Sequence, residues 1–514
     1  MGKRQPALKK IRVALALVFF TGITLLFLDV TGVLHLYLGW MARLQLLPAI
    51  LAGNAVVVAA LALLTLLFGR IYCSMICPLG VMQDVVIRLR ARHGRRHKTA
   101  KHFSFKAENK WLRYGIFTVF AIALMAGVHV IVALLAPYST YGRMVQNLLG
   151  PVADGLNNLL AWVSARTGSY AFYGREVWIR SLPTFTIAAA SLVLIVFLAL
   201  RGGRSWCNNV CPVGTLLGFL SRISIFRPVI DKDKCRNCHA CERVCKASCI
   251  DISEHRIDHS RCVDCFNCLG SCNFDALHYK FAYGRHSSVA PDTTADGETS
   301  ARHDGDINTG RRSFLGGAAL LAAASLKAED LKVDGGLAPL KPKRAPRRST
   351  PLTPPGSRSV DDFYSRCTAC QLCVSECPNS VLRPSTELQR LMQPEMYYER
   401  GFCRPECTRC SEVCPTGAIS LIDKTQKTEY HIGKASVRRC CCLAEKGVSC
   451  GLCATRCPVG AIVMVPIDPE DGNSPRRPSV VEDLCIGCGA CEHYCPVSPV
   501  SAITVNGRPE HLKS

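Results

Sequence analysis

Two stretches, CRNCHACERVC at residues 235–245 and CVDCFNCLGSC at residues 262–272, repeat one spacing of cysteines. The spacing is C-x2-C-x2-C-x3-C, which is typical of bacterial sites that hold two [4Fe–4S] clusters. Three closely spaced thiolates bind one cluster, and the fourth thiolate reaches the neighbouring cluster. We therefore predict two ligand sets, the first formed by Cys235, Cys238, Cys241 and Cys272, and the second by Cys262, Cys265, Cys268 and Cys245.

Two other interpretations of this segment are a structural zinc site and a c-type haem. Residues 235–239 spell C-x-x-C-H, which is the attachment signal of c-type haem. Cys241 and Cys245 continue the iron–sulfur spacing immediately afterwards, and for this reason we favour clusters. Lys246 and Asn273 depart from the usual pattern, because a proline commonly follows the fourth cysteine.

The C-terminal third of the chain carries four more cysteine quartets, each followed by a proline. Three quartets lead into the apolar runs GAISLI, GAIVMV and VSAITV, which we expect to form paired strands. Cys440 and Cys441 compete with Cys442 for one ligand position, and we choose Cys442 because the pattern CLAEKGVSCGLC begins there. The sixteen predicted ligands are Cys367, Cys370, Cys373, Cys377, Cys403, Cys407, Cys410, Cys414, Cys442, Cys450, Cys453, Cys457, Cys485, Cys488, Cys491 and Cys495. With the first two sets, they predict six [4Fe–4S] clusters.

Composition limits the class of protein. The chain has 514 residues, 31 cysteines, a formal net charge of +23 and 49% hydrophobic residues. So many cysteines are unusual in a cytosolic enzyme, and the chain is too long for a small disulfide scaffold. Its basic charge could indicate nucleic-acid binding, but the sequence has no recognisable nucleic-acid module or aromatic-rich basic patch. We expect no nucleic-acid partner.

Four apolar runs in the first 200 residues predict membrane-spanning helices, because each is about long enough to cross a ~30 Å hydrocarbon core. The runs are Val13–Leu38, Leu46–Phe68, Gly115–Ala136 and Thr184–Leu200. Five lysines and arginines precede the first run, and eleven lie between the second and third runs, against four between the third and fourth. This bias predicts that the N-terminus and the eleven-charge loop are cytoplasmic.

Two C-x3-C-P motifs follow the second and fourth runs. Cys73 and Cys77 belong to the first motif, and Cys207 and Cys211 belong to the second. Residues i and i+4 share one face of a helix, so each motif presents two thiols on one side. We predict a redox or metal-binding role for these four cysteines, and the sequence does not choose between the two roles.

The segment between the two cysteine-rich regions indicates on which side of the membrane the second region lies. Residues 284–310 are rich in Ser, Asp, Gly and Thr and read as a flexible linker. Residues 311–326 begin with Arg311-Arg312 and continue with Ser-Phe-Leu and a short apolar run, which resembles a twin-arginine export signal or anchor. Residues 327–360 are rich in Pro, Lys and Arg and predict an extended spacer. An ordinary buried helix is the alternative for residues 311–326.

These motifs together resemble two families of ferredoxins. Residues 1–283, with four runs, paired C-x3-C-P motifs and two quartets, resemble a NapH/MauN-type membrane ferredoxin. Residues 309–505, with the twin-arginine segment and four quartets, resemble a NapG/MauM-type exported ferredoxin. The chain therefore resembles a fusion of two proteins that are usually separate partners.

The resemblance implies a membrane helical bundle of four spans plus two α+β ferredoxin-like iron–sulfur domains. It divides the chain into a transmembrane domain at 1–230, a cytoplasmic two-cluster domain at 231–283 and a periplasmic four-cluster domain at 361–505. It also implies that the first and fourth quartets of the last domain exchange their fourth ligands, as do the second and third. The protein would be a multi-pass protein of the bacterial inner membrane.

The implied function is that of a quinol dehydrogenase module, which passes electrons from the quinone pool to a periplasmic redox protein, such as a nitrate reductase system or a cytochrome. Ionisable residues within membrane spans are functional candidates by default, and Asp29, His35 and His129 are therefore candidates for the quinol site. The alternative is an accessory protein that handles or reduces a metal for another enzyme through its C-x3-C-P motifs. Whether the chain is itself an enzyme or only an electron carrier stays open at this point.

Overall fold

The computed structural model describes residues 6–29, 32–96, 103–168, 172–175, 177–283, 343–470 and 474–513. Residues of Met1–Ala282 and Lys343–Ser514 belong to one compact unit. The predicted linker at 284–310, the twin-arginine segment at 311–326 and the first part of the spacer lie outside the described residues.

The N-terminal part is a bundle of helices. Its helices are α1 Pro6–Phe27, α2 Leu34–Arg43, α3 Leu46–Leu51, α4 Ala55–Phe68, α5 Tyr72–Met75, α6 Pro78–Arg96, α7 Lys110–Met125, α8 His129–Leu135, α9 Pro137–Met144, α10 Gly150–Arg166, α11 Leu182–Gly202 and α12 Pro212–Ser221. Two short π-helical segments, Val145–Leu149 and Trp206–Val210, interrupt the α-helical pattern.

Two helices among the described residues are long and apolar enough to cross a membrane, Ala7–Phe27 and Leu182–Gly202. The first predicted span differs from the structure because helix α1 ends at Phe27 and α2 begins at Leu34. The second and third predicted spans are also divided. Gly53 and Gly127 adopt positive φ angles of 68° and 72°, a conformation that ends a helix and that glycine tolerates at little cost.

Residues 226–283 pack against one end of the bundle. Strand β1 (Phe226–Ile230) pairs with β4 (Leu277–Phe281), and β2 (Ile250–Asp251) pairs with β3 (Arg256–Ile257), both antiparallel. This domain therefore begins at its first strand, five residues before the predicted boundary at 231. The phenol of Tyr279 donates a hydrogen bond to the Phe68 carbonyl (3.1 Å), which attaches the sheet to the end of α4.

Residues 343–513 pack against the opposite end of the bundle. The strands pair antiparallel as β5 (Leu382–Pro384) with β6 (Pro394–Met396), β7 (Tyr430–Val437) with β10 (Ile503–Lys513), and β8 (Ile462–Pro466) with β9 (Arg476–Val480). Helix α13 (Ala240–Arg243) lies in the preceding domain. Residues 343–513 contain five further short helices: α14 Val360–Arg366, α15 Leu372–Ser375, α16 Arg409–Val413, α17 Leu452–Thr455 and α18 Ala490–Tyr494.

Two sequence predictions for this domain differ from the structure. The run GAISLI at 417–422 forms no strand, because the Ser420 amide hydrogen-bonds to the Gly356 carbonyl (2.9 Å) in an isolated contact. Residues 351–357, predicted as part of the extended spacer, are all buried. Leu352 accepts a backbone hydrogen bond from Met396 (3.0 Å), so the end of the spacer belongs to the core of the domain.

Residues 343–513 carry the four C-terminal cysteine quartets and keep the name four-cluster domain from the prediction. Hydrogen bonds join this domain to the helical bundle. Arg180 donates to the Val374 carbonyl (2.6 Å), and Asn147 donates to the side chain of Gln371 (2.9 Å). Helix α9 also lies at this junction, and all eight of its residues are buried. The segment between the third and fourth apolar runs therefore contains α9 as a packed element between the bundle and this domain.

Candidate iron–sulfur sites

Four of the six cysteine quartets share one backbone conformation. In each, the residue before the second cysteine and the residue after it have positive φ angles. Successive left-handed and right-handed residues turn backbone N–H groups towards one concave side, a geometry that binds anions and iron–sulfur clusters. The residues in this conformation are Asn237, His239, Asp264, Phe266, Ala369, Gln371, Gly487 and Gly489. All 31 cysteines are free thiols, so none is removed from ligation by a disulfide.

In the two-cluster domain, the structure brings together the sets expected from the spacing. Cys245 lines one cavity with Cys262, Cys265 and Cys268. Burial raises the pKa of the Cys241 thiol, and the neighbouring thiols of Cys272 and Cys235 raise it further. Each fourth cysteine therefore lies beside the three cysteines of the other quartet.

Cys249 was not predicted as a ligand, yet it lines the same cavity as Cys245. Its side chain is buried, and its sulfur lies 3.5 Å from the Cys245 sulfur. Sequence spacing gave no signal for this residue, because it falls four residues beyond the C-x2-C-x2-C-x3-C pattern.

In the four-cluster domain, the ligand exchange implied by the resemblance is wrong. Neighbouring quartets exchange their fourth cysteines, because α15 packs against α16 and α17 packs against α18. Three of the resulting sets each line a cavity: Cys377 with Cys403, Cys407 and Cys410; Cys495 with Cys442, Cys450 and Cys453; and Cys457 with Cys485, Cys488 and Cys491.

The fourth set consists of Cys367, Cys370, Cys373 and Cys414, and the electrostatic interactions among these thiols show that they lie together. Burial raises the pKa of the Cys373 thiol well above its usual value, and nearby thiols raise it further, chiefly those of Cys367, Cys370 and Cys414. The domain is thus built from two modules of two quartets each, like the two-cluster domain repeated. Among the three adjacent cysteines, Cys442 lines the cavity and is buried, whereas Cys440 is exposed.

Lys427 is a functional candidate that the sequence did not indicate. Its ammonium lies 3.2 Å from the Cys403 sulfur and also donates to the carbonyls of Arg404 and Cys407. Lys427 is 4% exposed, so this charge acts on the thiolates with little screening by water. Hydrogen bonds and charges near cluster sulfurs set the reduction potential of a cluster.

The two C-x3-C-P motifs form a symmetrical centre inside the bundle. Arg70 and Arg204 stand three residues before the first cysteine of each motif, and each reaches the other motif. Arg70 donates to the Cys207 carbonyl (3.2 Å), and Arg204 donates to the Cys73 carbonyl (2.9 Å). The same guanidinium groups lie 3.9 Å from the Cys73 sulfur and 3.7 Å from the Cys207 sulfur, respectively.

The four thiols of this centre influence one another. Burial raises the pKa of the Cys211 thiol well above its usual value, and three neighbouring thiols raise it further, those of Cys207, Cys77 and Cys73. Cys207 lies in the π-helical segment Trp206–Val210, and such segments are frequent at functional sites. We define these four cysteines as the cysteine-pair centre.

Buried positive charge surrounds the cysteine-pair centre. Arg70 and Arg204 are fully buried, and the hydrogen-bond acceptors of Arg70 are an amide oxygen, two carbonyls and a sulfur. A buried guanidinium is stable only when an anion compensates it. A cluster bound by the four cysteines of the centre would place negative charge within reach of Arg70.

Asp84 anchors the centre to the two-cluster domain. It pairs with Arg12 (3.0 Å), Arg204 (2.9 Å) and Lys246 (3.3 Å). Burial would raise the pKa of Asp84, but the three cations hold it well below its usual value. Lys246 stands where a proline usually follows the fourth cysteine, so this departure from the usual pattern supplies a contact to the bundle.

Two of the three quinol-site candidates lie together. The His35 ring lies 3.8 Å from the Asp29 carboxylate and 3.0 Å from the Glu412 carboxylate. Glu376 is also 3.7 Å from His35, and burial, followed by the nearby Asp29 charge, raises the pKa of Glu376 to about 8. His129 begins α8 and is half-buried, and among the described residues it makes no hydrogen bond to this group.

Family models match three parts of the chain. A model described as a 4Fe-4S binding domain matches residues 51–97 and again residues 184–231, the two segments that contain the C-x3-C-P motifs. A model described as a 4Fe-4S dicluster domain matches residues 446–499. The double match agrees with the symmetry of the cysteine-pair centre.

Curated relatives carry ferredoxin names. The chain is 28% identical to the ferredoxin-type protein NapH of Haemophilus influenzae over 43% of this chain and 65% of that protein. It is 29% identical to MauN of Paracoccus denitrificans over 39% of this chain and 59% of that protein, and 33% identical to MauM of Methylobacillus flagellatus over 27% and 60%. These two are methylamine utilization ferredoxin-type proteins. No solved structure matches the chain.

These matches and the cysteine geometry agree on one coarse conclusion. The chain contains ferredoxin-type iron–sulfur domains, and its similarities support an iron–sulfur electron-transfer protein.

Proposed function

We propose that this protein carries electrons across a bacterial inner membrane, taking them from quinol and passing them to a periplasmic redox protein. The observation that carries the proposal is the position of the cysteine sets. Two sets lie at one end of the helical bundle, four lie at the other end, and the cysteine-pair centre lies inside the bundle. A [4Fe–4S] cluster, when bound at such a set, accepts and releases one electron at a time.

The four-span arrangement is part of this proposal. Helices α1, α4, α7 and α11 would cross the membrane, although only α1 and α11 are long enough by themselves. Support comes from their outward faces: only 33% and 22% of the apolar windows of α1 and α11 are buried. Exposed large apolar side chains continue on α4 and α7, including Leu63 and Ile122. Such surfaces are typical of lipid contact.

The cysteine-pair centre would connect the two ends. On one side, Arg70 bridges the centre to the two-cluster domain through the Ser260 carbonyl (2.9 Å). On the other side, α6 packs against α9, and a Cβ at Gly142 of α9 would lie 2.7 Å from the Cys370 carbonyl. We propose that Cys73, Cys77, Cys207 and Cys211 hold a further iron–sulfur centre, which would complete a path between the six clusters.

The chain's own residues would prepare this path for electrons. The thiolates hold the clusters, the left-handed loop residues direct backbone N–H groups towards them, and Arg70, Arg204 and Lys427 supply positive charge. Reduction adds negative charge to a site, so nearby cations and N–H donors stabilise the reduced form. The accessory role in metal handling fits less well, because all four thiols of the cysteine-pair centre are buried and a partner could not reach them directly.

The test is reduction of the purified, cluster-loaded protein by a reduced quinol analogue. We expect the visible absorbance of the clusters to bleach. In the Cys207→Ser variant, we expect only the clusters on the quinol's own side to bleach, since the path through the bundle is broken. The matched control is Cys440→Ser, which removes an exposed thiol that lies outside the cluster cavities.

Two results would contradict the proposal. Intact clusters that do not bleach with any quinol analogue would exclude a quinol dehydrogenase. Complete bleaching of Cys207→Ser at the rate of the unmodified protein would exclude a relay through the cysteine-pair centre, while leaving quinol oxidation itself intact.

A further inference from the structure

The junction between the helical bundle and the four-cluster domain contains a compact group of metal-ligating side chains. Asp29, His35 and Glu376 are all buried, and one ligand atom of each lies within 4.8 Å of the others. Asp29 and His35 come from the bundle, and Glu376 comes from the four-cluster domain.

The hydrogen bond to Glu412 fixes the tautomer of His35. The Nε2 atom lies 3.0 Å from Glu412 Oε2, and an ionised carboxylate only accepts hydrogen bonds. His35 therefore carries its proton on Nε2 and presents the lone pair of Nδ1 to the other side. Glu412 is held in turn by Thr408, whose hydroxyl donates to it (2.6 Å). A carboxylate that orients a ligating histidine in this way recurs at protein metal sites.

His35 Nδ1 faces the carboxyl groups of Asp29 and Glu376. It lies 3.8 Å from Asp29 Oδ2 and 3.7 Å from Glu376 Oε2, which is too long for a hydrogen bond. Neither oxygen of Glu376 nor Nδ1 of His35 has a hydrogen-bond partner among the described residues. Glu376 is 3% exposed, and both of its carboxyl oxygens are buried. Buried polar atoms of this kind require a partner.

We propose that Asp29, His35 and Glu376 bind a divalent transition-metal ion that joins the helical bundle to the four-cluster domain. Ligands about 2.1 Å from a tetrahedral ion lie roughly 3.4 Å from one another, close to the separations around Nδ1. One nitrogen and two carboxylate oxygens are ligands for Zn²⁺, Mn²⁺ or Fe²⁺.

The surroundings of the site fit an exchangeable ion. Asp29 is oriented by the backbone N–H of Gly32 (2.7 Å) and of His35 (3.3 Å), so its carboxylate is preorganised. Asp29 and Glu376 also line a polar cleft of about 550 Å³, which gives an ion and its remaining water ligands a route to the site. The guanidinium of Arg409 lies near Gly32 and partly balances these acids, but it donates no hydrogen bond to Glu376.

This role differs from the quinol role expected for Asp29 and His35 and does not depend on quinol oxidation. If Asp29 and His35 bind a metal ion, His129 is the remaining candidate for the quinol site among the three residues considered from the sequence.

The experiment measures Mn²⁺ binding to the full-length, cluster-loaded protein by equilibrium dialysis, with elemental analysis for manganese so that cluster iron does not interfere. We expect one Mn²⁺ per chain and an increase in the thermal unfolding midpoint on binding. We expect Glu412→Gln to weaken binding about 10- to 100-fold, and Glu376→Gln to weaken it at least as much. The matched control is Glu387→Gln, an exposed acid in the same domain, which should leave binding unchanged.

The absorbance of the clusters shows whether each variant is folded. Three results would overturn the inference: no Mn²⁺ or Zn²⁺ bound by the unmodified protein, unchanged binding in a folded Glu376→Gln variant, or equal loss in Glu387→Gln. Absence of binding would mean that the three side chains associate without a metal ion. None of these results bears on the bleaching of clusters by quinol, so the two proposals can fail separately.

Discussion

Lys427 shows how one side chain can tune one cluster. Its buried ammonium lies beside the Cys403 sulfur, in the set that Cys377 completes. The cation stabilises the reduced, more negative form of the cluster. We therefore expect Lys427→Gln to lower the reduction potential of this cluster. A hydrogen bond to a charged group contributes about 1.5–3 kcal/mol, which corresponds to roughly 65–130 mV for one electron.

The measurement for Lys427 is a redox titration followed by electron paramagnetic resonance. Lys427→Arg keeps the charge and should retain most of the potential, whereas Lys424→Gln removes an exposed lysine nearby and should change nothing. A potential unaltered in Lys427→Gln would show that the ammonium does not act on the cluster.

Gly214 shows how closely the two C-x3-C-P motifs approach each other. A Cβ at this position would overlap the Cys207 carbonyl and lie 2.7 Å from Arg70 Nη2. We expect Gly214→Ala to displace Arg70 and destabilise the protein by about 1–3 kcal/mol, as overpacking of a buried site usually does. Thermal unfolding followed by circular dichroism measures this change.

The control for Gly214 is Gly155→Ala in α10, where an added Cβ meets no atom within 4 Å. This variant should be neutral or slightly stabilising, since alanine favours a helix over glycine. If Gly214→Ala were as stable as the control, the contact between Arg70 and the second motif would not hold the centre together.

At the scale of elements, the conformation of the cysteine loops could be predicted from the sequence, whereas the positions of the helix ends could not. The C-x2-C-x2-C spacing is so short that it fixes the loop conformation locally, which is why four quartets share it. The second and third apolar runs, each predicted as a single span, are divided at Gly53 and Gly127. Hydropathy measures the preference of side chains for an apolar environment and carries no information on where the backbone turns. The prediction of a strand for the run GAISLI was wrong for a related reason: its Ser420 amide makes a single hydrogen bond to the Gly356 carbonyl, and hydropathy does not tell whether a neighbouring segment continues a ladder.

The exchange of fourth cysteines depends on which elements pack together. In the two-cluster domain only one exchange is possible, and spacing was sufficient to predict it. In the four-cluster domain several exchanges fit the same spacing, and the contacts of α15 with α16 and of α17 with α18 decide between them. The association of Asp29 and His35 with Glu376 is harder still to predict, because the two regions that must dock are separated by more than 300 residues in the sequence. A single sequence gives no signal for such a contact.

At the scale of the molecule, the proposed path requires its two ends to lie on opposite sides of the membrane. The sequence places the N-terminus in the cytoplasm by its basic loops. Within helix α1, Arg12 contacts Asp84 near the two-cluster domain, and Phe27 at the other end packs against Tyr138 of α9 near the four-cluster domain. Crossing by α1 therefore separates the two domains, and the four-cluster domain should lie in the periplasm.

This topology can be tested with a reporter fused after Ser514 that is active only in the periplasm. We expect activity in the unmodified chain and loss of it when Arg311-Arg312 is replaced by two lysines, since the proposed twin-arginine segment would then fail to export the domain. The control replaces Arg476-Arg477 in the same way; this pair lies on β9 at the surface of the four-cluster domain, far from the segment, and should leave the reporter outside. A cytoplasmic reporter in the unmodified chain would mean that both ferredoxin domains face one compartment. The cysteine-pair centre could then not serve as a path across the membrane, because both ends of that path would lie on the same side.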